Sequence, residues 1–229
     1  MKEPRYMQFQ ETLMKNSAGL ATVDGYDRLK SSIGDVADWD GFQAILAQID
    51  ITLWFNDKGI LKEIEPHLPQ KAGYSDILLS FSEQDIYCEV TSPESLQKSI
   101  ESKKQNEAEK VQNLLKKQRW MSEQDAEHEI KQDRITRILL EKTNKQLPRN
   151  YPGILALETG KSMLFTFDTK KIAQQLFPSR PQVMLIMLWS LERGSQIGEA
   201  PFWFVNPSSQ YQNIGQKLLK YLGQDNIIK

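Results

Sequence analysis

One cysteine, two histidines and no long apolar run mark this 229-residue chain. Cys88 alone cannot close an internal disulfide, and with no C-x-x-C or paired Cys/His spacing nothing suggests a zinc site. A reducing cytoplasm is the expected compartment. No stretch approaches the roughly 18 uninterrupted apolar residues of a membrane span, and the amino-terminal MKEPRYMQFQ has no apolar signal core, so a soluble protein with no membrane partner is expected. Neither G-x-G-x-x-G nor G-x-x-x-x-G-K-[ST] occurs, which removes support for nucleotide-dependent chemistry. Charge of neither sign dominates: 29 Lys plus Arg stand against 30 Asp plus Glu, so any contact with nucleic acid must be local. His67, between prolines, and His128, among charged residues, read as surface histidines.

What is present is enough apolar side chain, 39% of residues, to bury a core, over a length that suits one large domain better than two equal ones. Residues 1–40 carry scattered apolar positions (Met7, Phe9, Leu13, Met14) broken by Ser17-Ala18-Gly19 and Asp24-Gly25, which predicts at most short helices in an amino-terminal helical extension. Residues 41–229 form the main unit. Phe42, Ile45, Leu46, Ile49, Leu53 and Trp54 recur at three-to-four spacing and end at Asn56-Asp57-Lys58-Gly59, a helix with a glycine stop. A short strand over Ile60–Glu65 is closed by Pro66 and Pro69, and a hairpin follows, Ser75–Phe81 and Asp85–Val90-Thr91 about a polar turn. Ser92-Pro93-Glu94 opens a long helix to about Lys117, and Ser122-x-x-Asp125 opens a second charged helix reaching Lys145. Strand-like Ile154–Leu157, helical Lys170–Phe177, strand-like Val183–Trp189 and Pro201–Val205 complete an alternation that predicts a mixed α/β sheet covered on both faces.

Along the second hairpin strand Ile86, Cys88 and Val90 point one way and Tyr87, Glu89 and Thr91 the other, so Glu89 is expected to face away from the apolar side, and Cys88 reads as an inert core thiol. Asp76 stands at the entrance of the preceding strand. Two carboxylates converging on rigid strands make a site for a hard cation, because Mg²⁺ takes one or two carboxylates together with water and phosphate oxygens.

Tyr74-Ser75-Asp76-Ile77-Leu78-Leu79 together with Cys88-Glu89-Val90-Thr91-Ser92-Pro93, within the order helix, three strands, helix, further strands, resembles the PD-(D/E)XK, or restriction-endonuclease-like, nuclease superfamily. At the level of element order the resemblance covers about Phe42 to Pro207. It implies a restriction-endonuclease-like mixed central sheet and a Mg²⁺-dependent, or Mn²⁺-dependent, phosphodiesterase acting on DNA or RNA. Asp76 and Glu89 would be metal ligands and the Val90 backbone carbonyl a further one. The chain departs from the pattern twice. Ser75 stands where the family often has Pro, and Thr91 stands where it has Lys, so the charge that would assist the attacking water and offset negative charge on phosphate is missing from its usual place.

Some members of that superfamily move the lysine to a neighbouring element. Lys104 falls on the inward stripe Leu96, Ile100, Ala108, Val111 and Leu115, where it either supplies the relocated charge or snorkels to solvent. The superfamily's first helix often adds an acid, for which Gln48 and Asp50 are in position, Asp50 carrying the charge. Lys142 and Gln146, four apart on one helix face, reach the site if their helix packs beside it. The basic residues Lys98, Lys103, Lys104, Lys110, Lys116, Lys117 and Arg119 outnumber the acids of their segment and offer either a phosphate-binding face or a solvated one. The alternative to an enzyme is an inactive nuclease-fold protein that binds nucleic acid, a protein partner or a second copy of itself.

Overall fold

The computed structural model describes residues 4–69, 73–91, 107–118, 120–158, 166–189, 201–224 and 227–228. Two helices, α1 (Pro4–Asn16) and α2 (Tyr26–Gly34), precede the long α3 (Trp39–Asp57). The strands β1 (Leu61–Ile64), β2 (Ile77–Phe81) and β3 (Gln84–Thr91) follow. Then come α4 (Glu107–Lys117), α5 (Glu123–Gln146), β4 (Gly153–Glu158), α6 (Thr166–Ser179), β5 (Val183–Trp189), β6 (Phe202–Val205), α7 (Gln212–Tyr221) and the two-residue β7 (Ile227–Ile228).

Among the described residues the strands make one seven-stranded sheet in chain order. β1, β2 and β3 run as an antiparallel meander, β3, β4 and β5 are mutually parallel, and β6 is antiparallel to β5. The fold is α/β. Ser82 and Glu83, at φ 51° and 62°, form the two-residue turn between β2 and β3, a left-handed pair whose twist matches that of the strands it joins.

Both faces of the sheet are covered, and the strand alternation sorts its side chains between two cores. On one face Ile77, Leu79, Ile86, Cys88, Val90, Ile154, Ala156 and Met187 pack against Ala47, Ile51 and Phe55 of α3 and Leu218 and Leu219 of α7. On the other, Leu78, Tyr87, Leu155, Leu157, Ile186 and Leu188 pack against Ile135 and Leu139 of α5 and Ile172 and Leu176 of α6. Ile86, Cys88 and Val90 thus face one core and Tyr87 the other, as the alternation predicts, and Ile86 through Thr91 are all buried because the strand is central and helices lie on both faces.

The helix predicted from Phe42 onwards is α3, capped at its start by the Asp38 side chain, which accepts from Gly41 N at 2.8 Å, and followed by Gly59 at φ 69°. The expectation of only short helices before residue 40 is also corrected, since α1 runs for 13 residues. Its local signal is weak, yet Leu13 is fully buried and the Phe9 ring lies 4.8 Å from Phe42 and 5.6 Å from Trp39. Burial against α3 supplies what the local pattern does not. α1 and α2 share a third core with α3 and β1 through Leu13, Leu20, Leu29, Ile33, Phe42, Ile49 and Ile64. Residues 92–106, the first part of the long helix predicted to Lys117, lie outside the described residues, Lys104 among them. Among the described residues no helix is long and apolar enough to cross a membrane.

Candidate functional site

The hairpin register places the two acids. Ile77 pairs with Cys88 and Leu78 with Tyr87, so continuing the ladder by one step sets Asp76, in the bend before β2, opposite Glu89. Residues directly opposite in an antiparallel pair have Cβ atoms about 5 Å apart. Asp76 Oδ2 accepts from Val90 N at 2.7 Å, which fixes its carboxylate against the strand that carries Glu89. Ser75, the departure from Pro, is buried and donates through Oγ to the Cys88 carbonyl at 3.1 Å, tying the same two strands together.

Glu89 has no solvent exposure. Its counter-charge comes from α5. Lys142 Nζ lies 2.7 Å from Glu89 Oε1, and donates to the Val90 carbonyl at 2.6 Å and to Thr91 Oγ1 at 3.0 Å. The Glu89 carboxyl is also set against the Asp76 side chain. Lys142 reaches this point because it lies on the inward stripe of α5, seven residues after Ile135 and three after Leu139, both buried. The helix around it is firmly seated: Thr143 Oγ1 donates to the Leu139 carbonyl at 2.8 Å and Arg180 to the Leu140 carbonyl at 2.9 Å.

Two acids and one ammonium share this buried corner of the sheet. Burial, and then the neighbouring Asp76 charge, push the Glu89 carboxyl well above the usual carboxylate range, against the opposing pull of Lys142. Burial alone would lower the Lys142 ammonium, but Glu89 and Asp76 outweigh it and raise it, so this lysine stays charged. Burial and the same two acids raise the Cys88 thiol well above its usual value, consistent with an unreactive core position.

α3 brings Gln48 toward the site, not Asp50. Gln48 is buried and its amide faces Glu65 Oε1 at 3.5 Å. Two residues along an α-helix turn the side chain through about 200°, which carries Asp50 to the far side of α3. Burial there pushes its carboxyl up to about 6. Gln146, one turn beyond Lys142, is half-buried. His67 is exposed, with its ring 4.3 Å from Tyr74, and His128 is exposed as well.

Glu65 is the residue that sequence reasoning missed. It sits at φ 49°, a left-handed conformation uncommon for a residue with a side chain, and its N–H donates to the Asp76 carbonyl at 2.9 Å. Its carboxylate accepts from Ser32 Oγ of α2 at 2.9 Å. Burial raises it, Ser32 and Gln48 lower it, and Asp76 raises it further. A Glu before a proline at a strand end carries no local signal, because its partners come from residues 11 and more positions away.

The donors gathered here are all oxygen: the Asp76 and Glu89 carboxylates and the Val90 carbonyl. That is the chemistry of a hard cation such as Mg²⁺. Among the described residues no group of three or more His, Cys, Asp or Glu side chains is placed to hold a metal, so any ion here would complete its shell with backbone, water or substrate oxygens. Comparison with protein-family models, with curated proteins and with solved structures finds no match for this chain.

Proposed function

We propose that this protein is a Mg²⁺-dependent phosphodiesterase of the PD-(D/E)XK type acting on DNA or RNA, with Lys142 in place of the motif lysine. One observation carries the reading: the Lys142 ammonium meets Glu89, Val90 O and Thr91 Oγ1 at one point, beside Asp76. The acid pair and the lysine thus occupy one pocket, although Thr91 stands where the lysine belongs in sequence. The restriction-endonuclease-like fold is supported by the order helix α3, meander β1–β3, parallel β4 and β5, with helices on both faces.

In this reading Asp76, Glu89 and the Val90 carbonyl hold the cation. When bound, it supplies a Lewis acid and a water of lowered pKa. The chain's own part is electrostatic and geometric. Val90 N–H orients the Asp76 carboxylate, β3 holds Glu89 rigidly, and Lys142 supplies a positive charge where negative charge grows on the phosphate. Gln48 of α3 and Glu65, the residue after β1, face one another next to Asp76.

The alternative, an inactive nuclease-fold module that binds nucleic acid or a protein, is favoured by one feature of the same pocket: the ammonium already bonds two of the oxygens expected to hold the cation. Cleavage of plasmid, linear and single-stranded substrates with Mg²⁺ or Mn²⁺, run beside Glu89→Gln, tests the reading. Metal-dependent turnover lost in the variant is the expected result. Turnover equal in both proteins, or absent from both, would leave the binding module.

A further inference from the structure

We infer that Lys142 is an exchangeable counter-ion: its ammonium neutralises the Glu89 pocket until a divalent cation binds, and then gives up the Glu89 and Val90 oxygens while keeping Thr91. The inference rests on the metal-site reading above. It concerns how that site is filled and emptied.

Three contacts define the ammonium's position, Val90 O at 2.6 Å, Glu89 Oε1 at 2.7 Å and Thr91 Oγ1 at 3.0 Å. The first two belong to the set expected to hold a cation, and the third does not. Mg²⁺ binds oxygen at about 2.1 Å, so on the same side of these two oxygens it would overlap the ammonium. The two positive charges cannot share them. Nor is this an isolated ion pair, because Asp76, held by the Val90 N–H at 2.7 Å, stands opposite Glu89 on the ladder.

The structure also shows what can move. The helix cannot easily shift, since Leu139 and Thr143 on either side of Lys142 are fully buried and Arg180 is bonded to the Leu140 carbonyl. The side chain can. It is 26% exposed, so a route to solvent exists along its own four-carbon stem, whereas Glu89 at 0% has none. The Thr91 hydroxyl, outside the ligand set, can hold the ammonium near the pocket after it leaves the other two oxygens.

The test uses the full chain and Mn²⁺ as probe, at pH 8. Calorimetric titration of wild type, Lys142→Gln and Glu89→Gln is expected to show Lys142→Gln binding Mn²⁺ about tenfold or more tighter than wild type, and Glu89→Gln losing the site. In wild type, labelling of Lys142 by an amine-reactive reagent, mapped by mass spectrometry, is expected to rise at least about threefold when Mn²⁺ is added, and not to rise in Glu89→Gln. The labelling needs no variant at position 142, so it stands if Lys142→Gln fails to fold. Lys142 labelling that is unchanged at saturating Mn²⁺ overturns the exchange, whatever the affinities, and if wild type binds Mn²⁺ the metal-site reading survives. Absence of Mn²⁺ binding from both wild type and Lys142→Gln overturns the two together.

Discussion

The Lys142 ammonium and the Thr91 hydroxyl meet at 3.0 Å across the face between α5 and β3. Thr91 thereby serves as an anchor for a positive charge that enters from a different element. Replacing it by Val removes the acceptor and leaves the other two contacts of the ammonium intact. We expect Thr91→Val to lower metal-dependent cleavage by about tenfold, the equivalent of one hydrogen bond to a charged group at roughly 1.5 kcal/mol, with Thr91→Ser close to wild type. A sharper form of the same test is rescue. Lys142→Met should abolish cleavage, and Thr91→Lys in that background should restore part of it. Failure of the double variant, if its circular dichroism is native, would show that position 91 no longer addresses the reacting phosphate.

Breaking the Glu89–Lys142 pair should be costly. Removing one member strands the other, and a buried ion pair broken in this way typically costs about 3–5 kcal/mol. Lys142 is partly exposed, which places Lys142→Met toward the lower end, whereas Glu89→Gln leaves the ammonium its Val90 and Thr91 partners and should cost less. The two substitutions share one interaction, so the double variant should lose less than the sum of the singles by about 1–3 kcal/mol. Urea denaturation of the four proteins measures this directly. Strict additivity would mean that the 2.7 Å contact contributes nothing to stability.

The elements that position this pocket were largely legible in the sequence, and its wiring was only partly so. Val183–Trp189 is a strand with the same bounds as its apolar run, and the α3 stripe and the hairpin were readable from period alone. Asp76 and Glu89 were within reach because a tight turn makes their pairing local. Lys142 could be named only as one of two polar residues on a helix face, since nothing in the chain states that a residue 53 positions after Glu89 will pack beside it. Glu65 gave no sign, because its strained backbone and its Ser32 and Gln48 contacts are tertiary. The extent of α1 escapes for the same reason, whereas the alternation that sets Glu89 on the face opposite Cys88 and Val90 is the one the structure has.

Gly25 offers a test of the seam between the amino-terminal helices and the sheet. It precedes α2 at φ 87°, and a Cβ placed there would come within 1.8 Å of the Ile64 carbonyl oxygen, itself the acceptor for Arg28. Neither the conformation nor the space suits a side chain. Gly25→Ala is expected to destabilise the protein by about 2–4 kcal/mol, combining left-handed strain with displacement of β1. A loss below about 0.5 kcal/mol in thermal or urea unfolding would show that α2 can lift from β1 freely.

Asp50 sets the last expectation, a pH dependence opposite in sign to that of a salt-bridged carboxylate. Burial raises its carboxyl from the usual 3.8 to about 6 in the folded chain. Between those values the folded protein binds a proton that the unfolded chain has released, so stability is greatest below about pH 4, falls as pH rises through about 6, and is level above. At about 1.4 kcal/mol for each pH unit of separation the full effect would be near 3 kcal/mol; partial exposure reduces it to roughly 1–2 kcal/mol. Asp50→Asn removes the charge while keeping the shape, and should therefore unfold later than wild type in urea at pH 7.5 and show no such advantage at pH 4. An advantage of equal size at both pH values would trace the effect to packing rather than to an ionised carboxylate held on the buried side of α3.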